Sequence, residues 1–260
     1  RDTDRSRGLG DVYKRQVEGY IMSIDRKINR IQFLTGNSLK FIAVLTMVID
    51  HLCKIVLQWP LSNYWGPMVD NEQMSWERFQ EIDNLIRFDL QSIGTIAFPL
   101  FCFLLAEGFQ HTRSKKRYIG LMLAFALISE VPFDIGFFSA YSRMEGTFPF
   151  YLKYQNVFFT LFLGLLTLVC LERFSCKSDL PVDRIKSAVL QVLSVVLFSG
   201  IAEGIHCDYG MQGILFISAF YICRNHRIYQ VLLFLLAYMG TTGNQPPLCT
   251  LLACLLILLY

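Results

Sequence analysis

LKFIAVLTMVIDHLCKIVL, residues 39–57, decides the fold. Its 19 residues are almost all apolar, and as an α-helix they would rise about 28 Å, close to the thickness of a bilayer's hydrocarbon core. Lys40, Asp50, His51 and Lys54 interrupt it. A charge near the centre of a membrane helix costs about 2.5–3.5 kcal/mol on insertion scales, so such residues are rare and usually functional. Steps of three and four place Lys40, Ala43, Met47, His51 and Lys54 on one face. Asp50 and Lys54, four apart, are spaced to pair, which lowers the cost of both charges. A structural ion pair accounts for Asp50 and Lys54 as well as a functional role does. An imidazole among carboxylates is the usual general base, and His51 is therefore the first candidate for chemistry.

The rest of the chain agrees with a membrane reading. Hydrophobic residues make up 53% of the 260, and charged ones 17%, where soluble domains average about 25%. A net charge of +3, scattered along the chain, argues against nucleic acid. The eight cysteines show no C-x-x-C and lie mostly in apolar runs, as small apolar filler does. The four histidines are too far apart in sequence to argue a metal site. There is no Walker loop, G-x-S-x-G, H-E-x-x-H or dinucleotide fingerprint.

Apolar runs predict further helices at about 91–109, 118–137, 155–171, 187–202, 211–223, 228–239 and 248–260, with an acidic loop over 61–90. Asn37 or Ser38 is the expected N-cap of the first helix and Trp59 its interfacial end. Pro99 is placed to kink the second helix, and Gly200-x-x-x-Gly204 to pack the fifth. Basic residues alternate between connections: the N-terminal segment with Arg26, Lys27 and Arg30, then 110–117, 172–186 and 224–227, carry three, four, four and two. The other four connections carry two, two, none and none. The positive-inside rule then predicts an all-α polytopic helix bundle of about eight transmembrane helices with a cytoplasmic N-terminus. Residues 1–21 read as an adapter remnant, with Met22 the expected start. Residues 22–38 read as a cytoplasmic basic segment, and 39–260 as one transmembrane domain that ends inside an apolar run and is expected to be truncated.

That topology sorts the polar residues by depth. His51 and Glu130 fall at similar depth; Asp134, Asn156, Glu203, His206, Asp208 and Tyr209 fall toward the outer face as an acceptor-side group. Glu107, His111, Arg113, Lys116 and Arg117 gather at the inner face, where such a cluster suits phosphates of a cytoplasmic donor, lipid head groups, or simple orientation of the chain.

Five stretches in order, LKFIAVLTMVIDH (39–51), IGTIAFPLFCFLLAEGFQHTR (93–113), LISEVPFD (127–134), NVFFTLFLGLL (156–166) and DYGMQGIL (208–215), resemble the TraX family, membrane proteins associated with N-terminal acetylation of conjugative pilin. One departure is Thr95, where that family usually has a basic residue; Arg87 lies two turns earlier. Lys40, Ala43 and His51 are also similar to the opening motif of membrane acyltransferases of the acyltransferase-3 type. The resemblance implies a multi-pass protein of the bacterial plasma membrane. It implies acetyl-CoA as co-substrate, an amine or hydroxyl acceptor on a pilin N-terminus, envelope peptide or glycan, and no metal. Carried over, His51 would be the general base, Asp50 or Glu130 would orient it, and the basic loop through residue 117 would meet the coenzyme's phosphates. The same mid-depth Asp, Glu and His residues would also suit a proton- or ion-coupled transporter, and a non-enzymatic conjugation or secretion assembly factor is a third reading.

Overall fold

Thr35 opens the first helix. Its hydroxyl accepts from the Ser38 N–H at 3.2 Å, so the cap lies two to three residues before the expected Asn37 or Ser38. The computed structural model describes residues 16, 32–57, 60, 61, 65–176, 178 and 180–260, with the side chains of 88 and 89 left aside. Trp59, Arg26, Lys27, Arg30 and Lys177 lie outside the described residues. Among those described, the regular elements are helices: α1 Gly36–His51, α2 Gly66–Asp70, α3 Trp76–Asn84, α4 Gln91–Gly94, α5 Ala97–His111, α6 Lys115–Met144, α7 Val157–Arg173, α8 Pro181–Gly204, α9 Gly210–Ile222, α10 Arg227–Thr242 and α11 Leu248–Leu258. Wider π-helical turns continue α1 over Leu52–Leu57 and join α3 to α4 over Leu85–Leu90.

The acidic stretch expected as a loop is helical from Trp76 onward. It runs into the expected second helix as one 36-residue segment, Trp76–His111. The segment breaks at Thr95–Ile96, where the N–H groups of Thr95 and Ile96 bond back three residues, to Ser92 and Ile93, both at 3.1 Å. Pro99 is the cause: it has no N–H, and its ring crowds the carbonyl four residues earlier, that of Thr95. Among the described residues, Trp76–His111, Lys115–Met144 and Pro181–Gly204 are the three helices long and apolar enough to cross a membrane.

Helices α5, α7 and α9 form the centre, with α1 and α11 against α5, α6 against α7, α8 against α7 and α9, and α10 against α9. Phe103, Phe109, Phe216, Phe220 and Phe234 fill it, all fully buried. In lipid, helices associate by close packing rather than by hydrophobic exclusion, which favours small residues at crossings. Gly164 lies against Ile217, and Gly213 against Thr160 and Phe98; at either site an added Cβ would collide. A Cβ added at Gly200 or Gly204 would meet nothing within 4 Å, so the packing expected of that pair is not made among the described residues. Val189, Leu193, Val196 and Leu197 of α8, and Leu121, Phe125 and Ile128 of α6, point outward, as side chains facing lipid do.

Candidate active site

A cavity of about 580 Å³ lies where α1, the α4–α5 break, α6, the start of α7 and the turn before α9 converge. His51 lines it, with its side chain nearly half exposed, and its ring packs T-shaped against Phe137 of α6 at 5.4 Å between centroids. The Met47 carbonyl lies 2.9 Å from His51 Nδ1. A carbonyl only accepts, so this contact puts the ring proton on Nδ1 and leaves the Nε2 lone pair free. The expected carboxylate orienters do not take that place. Asp50 Oδ2 stands 3.7 Å from Nδ1, beyond hydrogen-bond reach, and holds Lys54 Nζ at 2.7 Å instead. Glu130 does not line the cavity. Its Oε2 accepts from the N–H of Asn156 at 3.2 Å and also from the Asn156 side-chain amide.

Asp50 keeps its position because Gly94 leaves room for it. An added Cβ at Gly94 would sit 2.5 Å from Asp50 Cβ and Oδ1. Gly94 ends α4 one residue before the Pro99-induced break, and Thr95 Oγ1 donates to the Ser92 carbonyl at 2.7 Å. Thr95 does not stand for a charge, and Arg87 pairs with Asp83 at 2.5 Å in an exposed i,i+4 bridge.

The far wall is the turn between α8 and α9. His206 (φ 53°) and Tyr209 (φ 63°) both adopt left-handed backbone, which costs a non-glycine residue of order 1–3 kcal/mol and recurs at functional sites. Main-chain bonds hold the turn in place. The Gln155 N–H donates to the His206 carbonyl at 3.0 Å, the Asp208 N–H to the Gln155 carbonyl at 2.9 Å, and Thr160 Oγ1 donates to the Asp208 carbonyl. Asp208 and Tyr209 thereby line the cavity; Tyr209 stacks on Phe98 at 3.6 Å, and Tyr154 donates its hydroxyl to Asp208 Oδ1 at 3.1 Å. Burial pushes the Asp208 carboxyl above the usual carboxylate value. The Tyr154 hydrogen bond and then the Lys54 charge pull it partly back. Burial likewise raises the Tyr154 phenol, helped by Asp208, and takes the neighbouring Cys207 thiol to about 11, which makes it a poor nucleophile.

Of the expected residues, His51, Asp50, Asn156, Asp208 and Tyr209 share the cavity. Several of the others hold the scaffold, and Asn156 does so as well as lining the cavity. Asp134, fully buried, accepts from the Tyr151 N–H at 2.8 Å. Asn156 caps α7 through Phe158 at 2.9 Å and donates to the Ala126 carbonyl at 2.8 Å. Glu203 Oε1 accepts from the Met211 N–H at 2.7 Å, and the His206 side chain is exposed. The inner group is a separate place. Glu107 pairs with Arg227 at 2.6 Å and lies 3.3 Å from His111, so its carboxylate is engaged within the bundle. Lys115 is bound to Glu172, while Arg113, Lys116 and Arg117 are exposed. About 20 Å of helix separates His111 from the cavity wall at Phe98.

Sequence reasoning missed Gly94, Phe98, Phe137 and Tyr154. Lys54, for which an ion pair with Asp50 and a functional role stand equally open in the sequence, is among the described residues the one Lys or Arg side chain lining the cavity. No three His, Cys, Asp or Glu side chains converge as a metal-ligand set among the described residues.

The chain belongs to the TraX family, whose model, described as TraX protein, matches residues 35–260. The "Probable fimbrial assembly protein FimC, serogroup H1" of Dichelobacter nodosus is 29% identical over 205 residues, covering 78% of this chain and 68% of its own length. No solved structure matches the chain.

Proposed function

We propose that this TraX-family membrane protein is an acyltransferase of pilin or envelope maturation. It moves an acetyl group from acetyl-CoA, a co-substrate, to an amine or hydroxyl presented from the outer half of the bacterial inner membrane. One observation carries the reading: His51, with Nδ1 occupied by the Met47 carbonyl, keeps Nε2 available at a cavity large enough for a reacting group. A base with one fixed tautomer, in a low-dielectric site, takes a proton from an acceptor N–H or O–H without first reorganising. The relative's name, a fimbrial assembly protein, fits an acceptor of the pilus or envelope.

In this reading α1 with its π turn and α5–α11 make eight spans. The N-terminal segment and residues 112–117 are then cytoplasmic, and the turn of residues 205–209 is external. Arg113, Lys116 and Arg117 meet the donor's phosphates, and the long pantetheine arm bridges the distance along α5 to His51. Glu107 ties α5 to α10 through Arg227 rather than touching the donor, and His111 lies beside it.

The test is turnover of labelled acetyl-CoA by the purified full chain in detergent or nanodiscs, read as hydrolysis, self-acetylation or transfer to envelope peptides and glycans. Removing a general base costs about 10²–10⁴-fold. His51→Ala is expected to lose that factor while inserting and melting as the parent does. A parent that neither binds nor consumes acetyl-CoA, or proton-dependent solute uptake by the same preparation, overturns the reading.

A further inference from the structure

The acyl-transfer reading leaves one charge without an answer. Attack on a thioester pushes an electron pair onto the carbonyl oxygen, and that oxyanion forms inside a cavity walled largely by aromatic rings: Phe98, Phe133, Phe137, Tyr154 and Tyr209. Unpaired negative charge in such surroundings is expensive, and preorganised donors aimed at it are commonly the largest single contribution to catalysis. His51 cannot supply the charge at that moment in full, because it is only then receiving the acceptor's proton. Asp50 and Asp208, the two carboxylates on the wall, repel an oxyanion.

Lys54 is placed to answer it. It stands three residues beyond His51, on the same face of the first span and in the π turn that continues α1. Wider turns of this kind recur at functional sites. Its ammonium has three N–H donors, and Asp50 Oδ2 takes one at 2.7 Å. Asp50 itself is wedged against Gly94 and so fixes where Nζ lies without exhausting it.

We propose that Lys54 is a catalytic residue: its ammonium binds the oxyanion of the tetrahedral intermediate, one helical turn from the His51 base. This rests on the acyl-transfer reading and adds an electrophile to it. The acceptor nitrogen or oxygen bonds to the thioester carbon while its proton passes to His51 Nε2. The carbonyl π pair moves to oxygen and is held by Lys54. The pair then returns, the C–S bond breaks, and the departing sulfur takes the proton back from His51. The products are the acetylated acceptor and the free thiol, with both residues restored.

The rival role for Lys54 is to neutralise Asp50, and a double-mutant cycle separates the two. Lys54→Met, Lys54→Arg, Asp50→Asn and Lys54→Met with Asp50→Asn are prepared as full chains, and kcat and KM for acetyl-CoA are measured. An electrophile is expected to show as a fall of about 10²–10³-fold in kcat for Lys54→Met with KM for the donor nearly unchanged. Lys54→Arg should recover part of it, and the same factor should separate Asp50→Asn from the double variant. The proposal is overturned if Lys54→Met costs nothing once Asp50 is Asn, which is the neutralising role, or if Lys54→Met stays within a few-fold of the parent. Should Lys54→Met fail to insert, Lys54→Gln carries the same cycle. A parent that consumes no acetyl-CoA removes the acyl-transfer reading and this assignment together, whereas an active parent with an unaffected Lys54→Met removes this assignment alone.

Discussion

Gly94→Ala offers the sharpest check on how the site is held. The new Cβ would lie 2.5 Å from Asp50 Cβ and Oδ1 and 2.6 Å from Cγ. Carbon atoms rest at about 3.5–4.0 Å, so about 1 Å of separation must be found. The atoms in the way are the root of a short side chain, not the end of a long one, so α1 and α4 have to move apart. Overpacking of this kind costs about 1–3 kcal/mol, and Ala in place of Gly in a helix returns about 0.8–1 kcal/mol. The net loss of stability is therefore about 0–2 kcal/mol, small enough for the protein to insert. Function should suffer more, since a displacement of about 1 Å in a reacting constellation can cost about 10²-fold. Gly120→Ala is the control: it too lies in a helix, in α6, and an added Cβ there meets nothing within 4 Å. Melting temperature in detergent and acetyl-CoA turnover are measured for both variants. The expected result is a near-parental melt for both and a loss of turnover confined to Gly94→Ala. Equal turnover in the two variants would refute the claim that Asp50 and Gly94 fix the face carrying His51 and Lys54.

Two further outcomes follow from the walls of the site. The folded protein holds the Asp208 carboxyl above its unfolded value, so the folded state binds the proton more tightly. The sign follows: stability falls as pH rises from the ordinary carboxylate value through the raised folded one, and the penalty is complete above it. Asp208→Asn, whose amide oxygen still accepts from Tyr154, should flatten that fall in melting temperature and meet the parent at acid pH; a parallel pair of curves would contradict it. The proposed eight-span topology would place Lys116 and Gln245 on opposite faces, and both are exposed. Lys116→Cys should react with an impermeant maleimide only in inverted vesicles and Gln245→Cys only in intact spheroplasts. Labelling of both from one side would break the topology.

The helices were legible because lipid imposes one demand on every span, an unbroken apolar run with its main chain satisfied internally. The long segment Trp76–His111 was read half as loop, since its first third is polar. A signal was there: Arg78 with Glu81 and Asp83 with Arg87 stand at helical spacing and do pair, at 3.0 and 2.5 Å. The same rule that singled out Asp50 and His51, an ionisable group in an apolar run, also singled out Glu130 and Asp134, and there it pointed to scaffold. A buried carboxylate must find a donor, but the sequence does not say which, and theirs are main-chain N–H groups of Tyr151 and Asn156, some 17 and 26 residues on. Glu107 illustrates the same limit over 120 residues, since only the fold could reveal that Arg227 had already claimed it. His51 carries the point furthest. Asp50 is its neighbour in sequence, yet side chains one residue apart on a helix diverge by about 100°, as 3.6 residues per turn requires. The partner that fixes the ring is one turn back, on the main chain at Met47, and Asp50 turns to Lys54 instead. Adjacency in sequence therefore points to the wrong orienter, and the four-residue spacing points to the right ones on both sides.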